Sequence, residues 1–359
     1  MKNKNILELC LAHGLGGLEM FVASCYEDFS KKTLCRVAVA PETKLDYYLD
    51  ISDKFHLQRN KFFPFIPAMK LAKYIDDNDI DVIHFHWTND ILTVVLAKFF
   101  SKKKPKLVQS RHMRMTRFKD DIYHKWLYKN IDMIHAVTYE VQKQLKKFIP
   151  LDVRPNIEMI YLGTKESKIN EAVVKSFQKK YNLKDEFIVG IVGRIEEGKG
   201  QYKVIEAIAQ LKDYNIKTFI VGSAMNEEYL RVLQQKVKGL GLEDKVIFTG
   251  FTKNVSEYLQ LFDVNVLATT NETFGLVVIE AMVNKIPIIA TNKGGPLEII
   301  KDGVDGLLFD GSSENLAQKI KLLYKDKNLQ IQLSQAGYEK VIEQFYADTQ
   351  LNILYENLV

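Results

Sequence analysis

The chain has 359 residues, of which 50 are Lys or Arg, 45 are Asp or Glu and 47% are hydrophobic. That length suits two domains that each bury a core unaided, which excludes a disordered chain and a small stapled scaffold. Cys10, Cys25 and Cys35 form no CxxC pair and no apolar run approaches the roughly 18 residues of a membrane span, so a cysteine-rich zinc site, a secreted disulfide framework and a transmembrane protein all lack their residues.

Short apolar runs alternate with amphipathic stretches from end to end, the pattern of βα units around parallel sheets covered on both faces. The first run, Ile6–Leu11, follows a short basic start. Glu8 interrupts it and no small-residue cleavage site follows, so it reads as a strand and not a signal peptide. It leads into His13-Gly14-Leu15-Gly16-Gly17-Leu18-Glu19 ahead of a helix. Glycines at such a turn let backbone approach a ligand, and the N–H groups of a helix start favour an anion, although the same turn also occurs without a ligand. Glu19 stands where the dinucleotide fingerprint needs a small residue. Strands Arg36–Ala40 and Phe55–Leu57 come next, then Arg59-Asn60-Lys61-Phe62-Phe63-Pro64-Phe65-Ile66, a loop that mixes cations with aromatic rings.

Strand Val82–Phe85 carries His84 and runs into His86-Trp87. With no Cys or carboxylate ligand near in sequence, metal is not expected there. His86 and Trp87 are expected to line a cleft and His84 a packed interior. From Lys98 to Lys129 there are eleven basic side chains opposed only by Asp120 and Asp121. This run dominates an asymmetry, because residues 1–165 carry 27 basic and 19 acidic groups against 23 and 26 in the remainder. Strands Leu107–Ser110, Met133–Val137 and Met159–Leu162 complete the first half, and the polar run Gly163–Lys168 marks a joint.

The second half offers strands Phe187–Val192, Thr218–Val221, Val246–Thr249, Val264–Ala268 and Pro287–Ala290. The first ends in Gly193-Arg194, and Glu196-Glu197-Gly198-Lys199-Gly200 opens the following helix. Two cations bracketed by glycines near a helix N-terminus suit a diphosphate cradle, the alternative being a solvent-exposed Arg and Lys on a loop. No Ser or Thr follows Lys199 as it would in a Walker loop, which disfavours magnesium-dependent ATP binding. Further on, Asn271-Glu272-Thr273-Phe274-Gly275-Leu276 starts a helix in which Glu280 lies about two turns beyond Glu272, so both carboxylates fall near one face. Glu280 sits in an apolar stretch where an unpaired carboxylate is costly, and a hydroxyl or backbone partner is expected for it. Tyr338 to Val359 reads as helical, with Val341, Phe345, Leu351, Leu354 and Leu358 among its apolar positions.

Together, Gly193-Arg194, Lys199-Gly200, Glu272 with Glu280-Ala281-Met282, Pro287-Ile288-Ile289-Ala290-Thr291 and Gly294-Gly295-Pro296-Leu297-Glu298 resemble glycosyltransferase family 4. These are retaining transferases of GT-B fold, here of the bacterial surface-polysaccharide or lipopolysaccharide type. Gly16-Gly17 and Asp305-Gly306-Leu307-Leu308 extend the resemblance over most of the chain. It implies an α/β architecture of two Rossmann-like doubly wound domains facing across a cleft. Residues 1–165 would bind the acceptor, 166–340 the nucleotide sugar, and a helix over 341–359 would cross back to the first domain. It also implies roles: Arg194 and Lys199 neutralise the leaving diphosphate, Glu272 contacts the transferred sugar, and Glu280 accepts from ribose hydroxyls. Gly16, Gly17, Gly193 and the backbone at Phe274, Gly275 and Leu276 would complete the donor site, and His112 matches the first-domain active-site His. No metal or cofactor is implied. Lys285 replaces the glycine expected at a helix end, and Leu162-Gly163 and Gly222-Ser223-Ala224 replace Asn-Gly and Gly-x-Gly, which leaves nucleobase and sugar open.

Acceptor or membrane contacts are expected from Arg59, Lys61, Phe62, Phe63, His86, Arg111, Arg114 and Arg117. They suit an anionic membrane surface or a phosphorylated glycolipid, each Lys or Arg near such a surface contributing about 1 kcal/mol. The same composition also suits core Phe residues beside a solvated basic face. The expected activity is retaining, metal-independent hexosyl transfer from a nucleotide diphosphate sugar to a glycan or glycolipid of the cell envelope, in the cytoplasm or at the inner face of its membrane. A nucleotide-sugar epimerase of the same fold is the alternative. A basic nucleic-acid-binding protein lacks a reader motif and is not expected.

Overall fold

Parallel sheets of the kind that βα alternation demands occur twice in a computed structural model that describes residues 4–60 and 62–359. Lys61, expected on the acceptor side, lies outside the described residues. One unit comprises the chain up to Leu162 together with Ala347–Val359, and the other is Gly163–Tyr346.

The first unit holds β1 (Ile6–Cys10), β2 (Cys35–Val39), β3 (Lys54–His56), β4 (Val82–Phe85), β5 (Lys106–Arg111), β6 (Met133–Ala136) and β7 (Asn156–Met159). They form one parallel sheet in the order β3-β2-β1-β4-β5-β6-β7. The order reverses between β1 and β4, so the connections leaving these strands diverge to opposite faces and open a crevice at their carboxyl ends. The second unit repeats the plan with β8 (Phe187–Val192), β9 (Ile216–Val221), β10 (Val246–Gly250), β11 (Val264–Leu267), β12 (Ile288–Thr291) and β13 (Leu307–Phe309), ordered β10-β9-β8-β11-β12-β13. Its reversal falls between β8 and β11. Val189, Ile191, Ile205, Ile208, Val264, Val266 and Ile289 pack its core, as runs buried on both faces should.

Edge elements depart from the sequence reading. The strand expected at Met159–Leu162 is Asn156–Met159, paired from Met133 opposite Asn156 to Ala136 opposite Met159. An edge strand tolerates exposed Asn156, while apolar Ile160 and Leu162 are buried only as the chain leaves the sheet. The three-residue edge strand β13 falls where the sequence reading names no strand.

The terminal segment is two helices. Asp326 caps the helix Lys327–Gln344, which runs past residue 341, and Ala347–Leu358 follows after a break at Phe345–Tyr346. The last helix belongs to the first unit. It buries Leu351, Leu354 and Leu358, sets Tyr355 against Phe29 with ring centroids 5.6 Å apart, and offers the carbonyls of Asn357 and Leu358 to Lys106 Nζ at 2.8 and 3.1 Å.

Candidate active site

Both motif-bearing loops of the second unit leave the carboxyl ends of β8 and β11, where the strand order reverses. Gly193 follows β8 at φ +147°, and a Cβ on neighbouring Gly222 would stand 2.0 Å from the Gly193 carbonyl oxygen, so only glycine lets these loops pack backbone on backbone. Gln201 Nε2 donates to the Arg194 carbonyl at 2.8 Å. The half-exposed Arg194 guanidinium has Glu196 Oε1 at 3.5 Å. Lys199 lies in the turn Glu197–Lys199, which is tied to the loop after β11 by Thr269 Oγ1 and the Thr270 N–H, both donating to the Gly198 carbonyl at 3.0 and 3.1 Å. Lys199 Nζ reaches Glu272 Oε2 at 3.0 Å. An ammonium has three donors, so it can keep this carboxylate and still donate to a ligand phosphate oxygen.

The Glu272 loop rests on glycines. A Cβ at Gly294, where φ is +68°, would lie 2.2 Å from the Glu272 carbonyl oxygen, and one at Gly295 would lie 2.2 Å from that of Phe274. The Phe274 ring is buried against Phe345, so only its main chain can meet a ligand. Gly200 and Gly275, at φ +73° and +104°, start the helices Gln201–Ala209 and Leu276–Val283 without a side-chain cap. Elsewhere Thr43, Thr138, Asn170, Asn226 and Ser312 cap their own helices. The uncapped starts leave N–H groups and the positive helix end open to an anion. Lys285 takes the left-handed φ of +58° that glycine was expected to supply, its Nζ 4.7 Å from the Tyr338 ring centroid, so the helix end keeps its geometry.

Glu280 corrects one expectation. Burial pushes its carboxyl above the ordinary range, yet no hydroxyl or backbone group among the described residues binds that carboxylate; Asn284 Nδ2 takes only the Glu280 main-chain oxygen, at 2.7 Å. Such a group is suited to accept hydrogen bonds from ligand hydroxyls.

In the first unit, Gly16 is extended and Gly17 begins the helix Gly17–Phe29. The Glu19 carboxylate lies 3.5 Å from where side chains on Gly14 and Gly16 would begin, so the protein's own anion sits at the turn read as an anion site. His112 follows β5. His86 Nδ1 is 3.4 Å from His112 Nε2, the two rings stack at 5.7 Å, and Phe21 meets both edge-on. Burial first, then His86, His135, His84 and Arg111, push the His112 imidazole well below its usual range, which makes it a neutral group at pH 7. His86 was expected to line a cleft. It is buried instead, with Nε2 2.7 Å from Glu8 Oε2. Arg111 is buried too, and donates to Thr88 Oγ1 and the carbonyls of Met113 and Arg114 at 2.7, 2.8 and 3.2 Å. It fixes the His112 loop. Arg114 reaches Glu140 at 4.0 Å.

A cavity of about 290 Å³ is lined by Arg59, Thr88, Asn89, Arg117, Lys119 and His124 among others, with no carboxylate in its lining. Arg59 lies over the Trp87 ring at 4.3 Å and donates to the Asn89 carbonyl at 3.0 Å. Burial, then Arg117 and Arg111, pull the Lys119 ammonium below its usual range, a strain that an anion would relieve. The basic run is less naked than its sequence suggests: Lys98 pairs with Asp132 at 2.6 Å, Lys103 with Asp81 at 3.1 Å and Lys125 with Asp152 at 3.2 Å. Phe62 and Phe63 are 88% and 63% exposed, and Phe65, Ile66, Met69 and Phe99 are exposed as well, which decides against a core role for these rings.

Sequence reasoning missed Glu8, Ser110 and His135, which join His84 and His86 in a polar row across β1, β4, β5 and β6. Glu8 was the available signal, because a carboxylate inside a strand buried on both faces requires partners. Cys25 lies close to Glu8 and His84, but those two bind each other and burial pushes the thiol far above its usual range, so the group offers hydrogen bonds and not ligands.

Residues 16–167 match the sequence model described as Glycosyltransferase Family 4, and residues 173–340 that of Glycosyl transferases group 1. The two matches lie side by side over most of the chain. Among curated proteins, it is 28% identical to N-acetyl-alpha-D-glucosaminyl L-malate synthase of Bacillus anthracis over 292 residues, 78% of this chain and 75% of that protein. It is 30% identical to the lipopolysaccharide core biosynthesis glycosyltransferase LpsE of Rhizobium meliloti over 159 residues, 44% of this chain and 45% of that one. The crystal structure of Anabaena Alr3699/HepE in complex with UDP and glucose superposes with a TM-score of 0.86 over 99% of both chains at 21% identity, a likeness that speaks to the fold.

Proposed function

The chain belongs to the family 4 glycosyltransferases of GT-B fold, and from that premise we propose that it moves a sugar, with retention and without a metal, from a nucleoside diphosphate sugar to an anionic glycan or glycolipid of the bacterial envelope. The observation that carries the reading is the meeting of Lys199 and Glu272 next to the uncapped helix start at Gly275. Arg194 and Lys199 hold the diphosphate, Glu272 the transferred sugar and Glu280 the ribose hydroxyls. The bond from the anomeric carbon to the phosphate oxygen breaks as the acceptor oxygen bonds to the same face, and the acceptor proton passes to the departing phosphate oxygen. Catalysis is then orientation plus stabilisation of the charge that develops on the diphosphate. The basic cavity at Arg59, Arg117 and Lys119 takes the acceptor's negative group, and we place the enzyme at the inner face of the cytoplasmic membrane.

Two related proteins bear on the substrates by analogy: the Anabaena protein was crystallised with UDP and glucose, and LpsE is a lipopolysaccharide core biosynthesis glycosyltransferase. The epimerase alternative draws no support from either family model. Thermal-shift screening of UDP, GDP and ADP, followed by their sugars, tests the donor assignment. A nucleoside diphosphate at about 100 times its Kd should stabilise the fold by about 2.7 kcal/mol. Lys199→Ala should lower kcat by roughly 10²- to 10³-fold, and NMR of the product should find the donor's anomeric configuration preserved. Near-normal turnover in that variant, or complete loss of wild-type activity in EDTA, would remove the assignment.

A further inference from the structure

The polar row in the first unit's sheet has a direction that can be worked out atom by atom. It begins at the Ile160 carbonyl, which only accepts, so His135 Nε2, 2.7 Å away, carries a hydrogen. Burial pushes His135 and His84 down to about 3 and His86 to about 4, so these rings are neutral at pH 7. His135 Nδ1 is therefore a lone pair, and Ser110 Oγ at 2.6 Å must direct its single hydrogen there. The same oxygen then accepts from His84 Nε2 at 2.7 Å. That leaves His84 Nδ1 as a lone pair facing Glu8 Oε1 at 2.9 Å. Two lone pairs cannot face each other at that distance, so one proton lies between them. Burial raises the Glu8 carboxyl, in the sense that puts the proton on the acid. Glu8 Oε2 accepts from His86 Nε2 at 2.7 Å, and His86 Nδ1 in turn faces His112 Nε2 at 3.4 Å. Phe21 packs edge-on over His86 and His112 and is itself buried. His112 Nδ1 ends the row with no partner among the described residues.

We infer that Glu8, His84, His86, Ser110 and His135 are positioning residues, a buried wire anchored on the Ile160 carbonyl that holds His112 in its Nε2–H tautomer and presents the Nδ1 lone pair to a substrate hydroxyl. The substrate half of this statement rests on the transferase reading; the tautomer does not. A ring's second hydrogen bond decides which nitrogen is free to act, and here that bond is set five side chains away. The direction of the wire requires a neutral acid at Glu8, and an amide reproduces its pattern: the Gln side-chain NH₂ donates to His84 Nδ1 and its carbonyl accepts from His86 Nε2.

Long-range proton–nitrogen NMR on the full chain with nitrogen-15 histidine reads the tautomer directly. Wild type and Glu8→Gln should both show His112 with hydrogen on Nε2 and a bare Nδ1, and Glu8→Gln should keep turnover close to wild type. Glu8→Leu should show both tautomers and lose roughly 10- to 100-fold in kcat, the scale on which removing an orienting partner acts, with the donor KM unchanged. Retained hydrogen-exchange protection of the β1, β4 and β5 amides in Glu8→Leu serves as its folding control, and the wild-type spectrum decides the tautomer even if that variant misfolds. His112 found with hydrogen on Nδ1, or as an imidazolium at pH 7, overturns the wire. So does a Glu8→Gln variant as damaged as Glu8→Leu, since the carboxylate charge would then be the active feature. Wild-type protein that shows the tautomer but transfers no sugar supports the wire and removes the transferase reading.

Discussion

Glu280 stands half-buried with its carboxyl pushed up by burial and no group among the described residues to oppose the shift. A carboxyl that holds its proton more tightly in the folded than in the unfolded chain adds to stability at low pH, and the contribution is lost as pH rises through its folded-state value. Glu280→Gln should therefore raise the melting temperature of ligand-free protein near neutral pH, and the gain should shrink as the pH falls toward 4.5, the ordinary carboxyl value. Binding has the opposite sign. In the proposed complex, ribose hydroxyls donating to the ionised carboxylate would lower its pKa, so binding should release a proton and tighten as pH rises; calorimetry in buffers of different ionisation enthalpy counts that proton. A hydrogen bond to a charged group is worth roughly 1.5–3 kcal/mol, so the same substitution should weaken nucleoside diphosphate binding by about ten- to a hundredfold. Gly294 gives a steric test of the same site. At φ +68° with its would-be Cβ 2.2 Å from the Glu272 carbonyl, Gly294→Ala must displace the loop that meets Lys199, whereas Gly239→Ala meets nothing within 4 Å. Binding titrations should find donor affinity lost in the first variant and intact in the second.

Helices explain why the aromatic rings of the first unit could not be placed from composition. The helix Phe65–Asp77 buries Ala68, Leu71, Ala72 and Ile75, an inner face at the spacing of one helical stripe. Ile66 and Met69 fall outside that stripe, while Phe65, the helix's first residue, is exposed at the stripe's end and meets Phe100 of the helix Ile91–Phe100 at 6.4 Å. With Phe62, Phe63 and Phe99, whose ring has Lys104 Nζ 5.5 Å from its centroid, they are exposed apolar side chains of the composition that suits an anionic lipid surface. Each ring that leaves water contributes about 1.5–3 kcal/mol, more than the roughly 1 kcal/mol of a single lysine. Phe62→Ser with Phe63→Ser should thus lower partitioning onto phosphatidylglycerol vesicles at least as far as raised salt does, with turnover on a soluble acceptor unchanged; unaltered sedimentation with vesicles would remove the membrane role. The elements themselves were legible where runs such as Phe187–Val192 lie buried on both faces. They were not where an edge strand carries polar residues, as at Asn156–Met159, because there half the side chains answer to water.

At the scale of the molecule, two doubly wound domains were expected from the alternating apolar runs and the family resemblance, and the Gly193-Arg194 and Glu272 motifs stand at the ends of β8 and β11, the strands that flank the second unit's reversal. The wire from Ile160 to His112 was not, because it joins residues from five separate stretches of sequence, and Glu8, taken alone, reads only as an interruption of an apolar run. Connectivity adds a consequence of its own. The chain leaves the first unit at Leu162, builds Gly163–Tyr346 and returns with Ala347–Val359, so the first unit is incomplete until its last residues dock. The Thr164 N–H donates to the Phe345 carbonyl at 3.0 Å, and Glu166 accepts from the hydroxyls of Tyr338 and Tyr346, which clasps the outgoing and returning segments together. Removing residues 347–359 would uncover the sites of Leu351, Leu354 and Leu358, each worth roughly 1.5–3 kcal/mol when buried, and deprive Lys106 of two carbonyl acceptors. Hydrogen exchange should then find the amides of β1, β2 and β4 unprotected while those of β8, β9 and β11 keep their protection and the second unit still binds a nucleoside diphosphate. Equal loss in both sheets would mean that the second unit also depends on the returning helix, and unchanged protection in β1 would mean that the helix is dispensable to the sheet it covers.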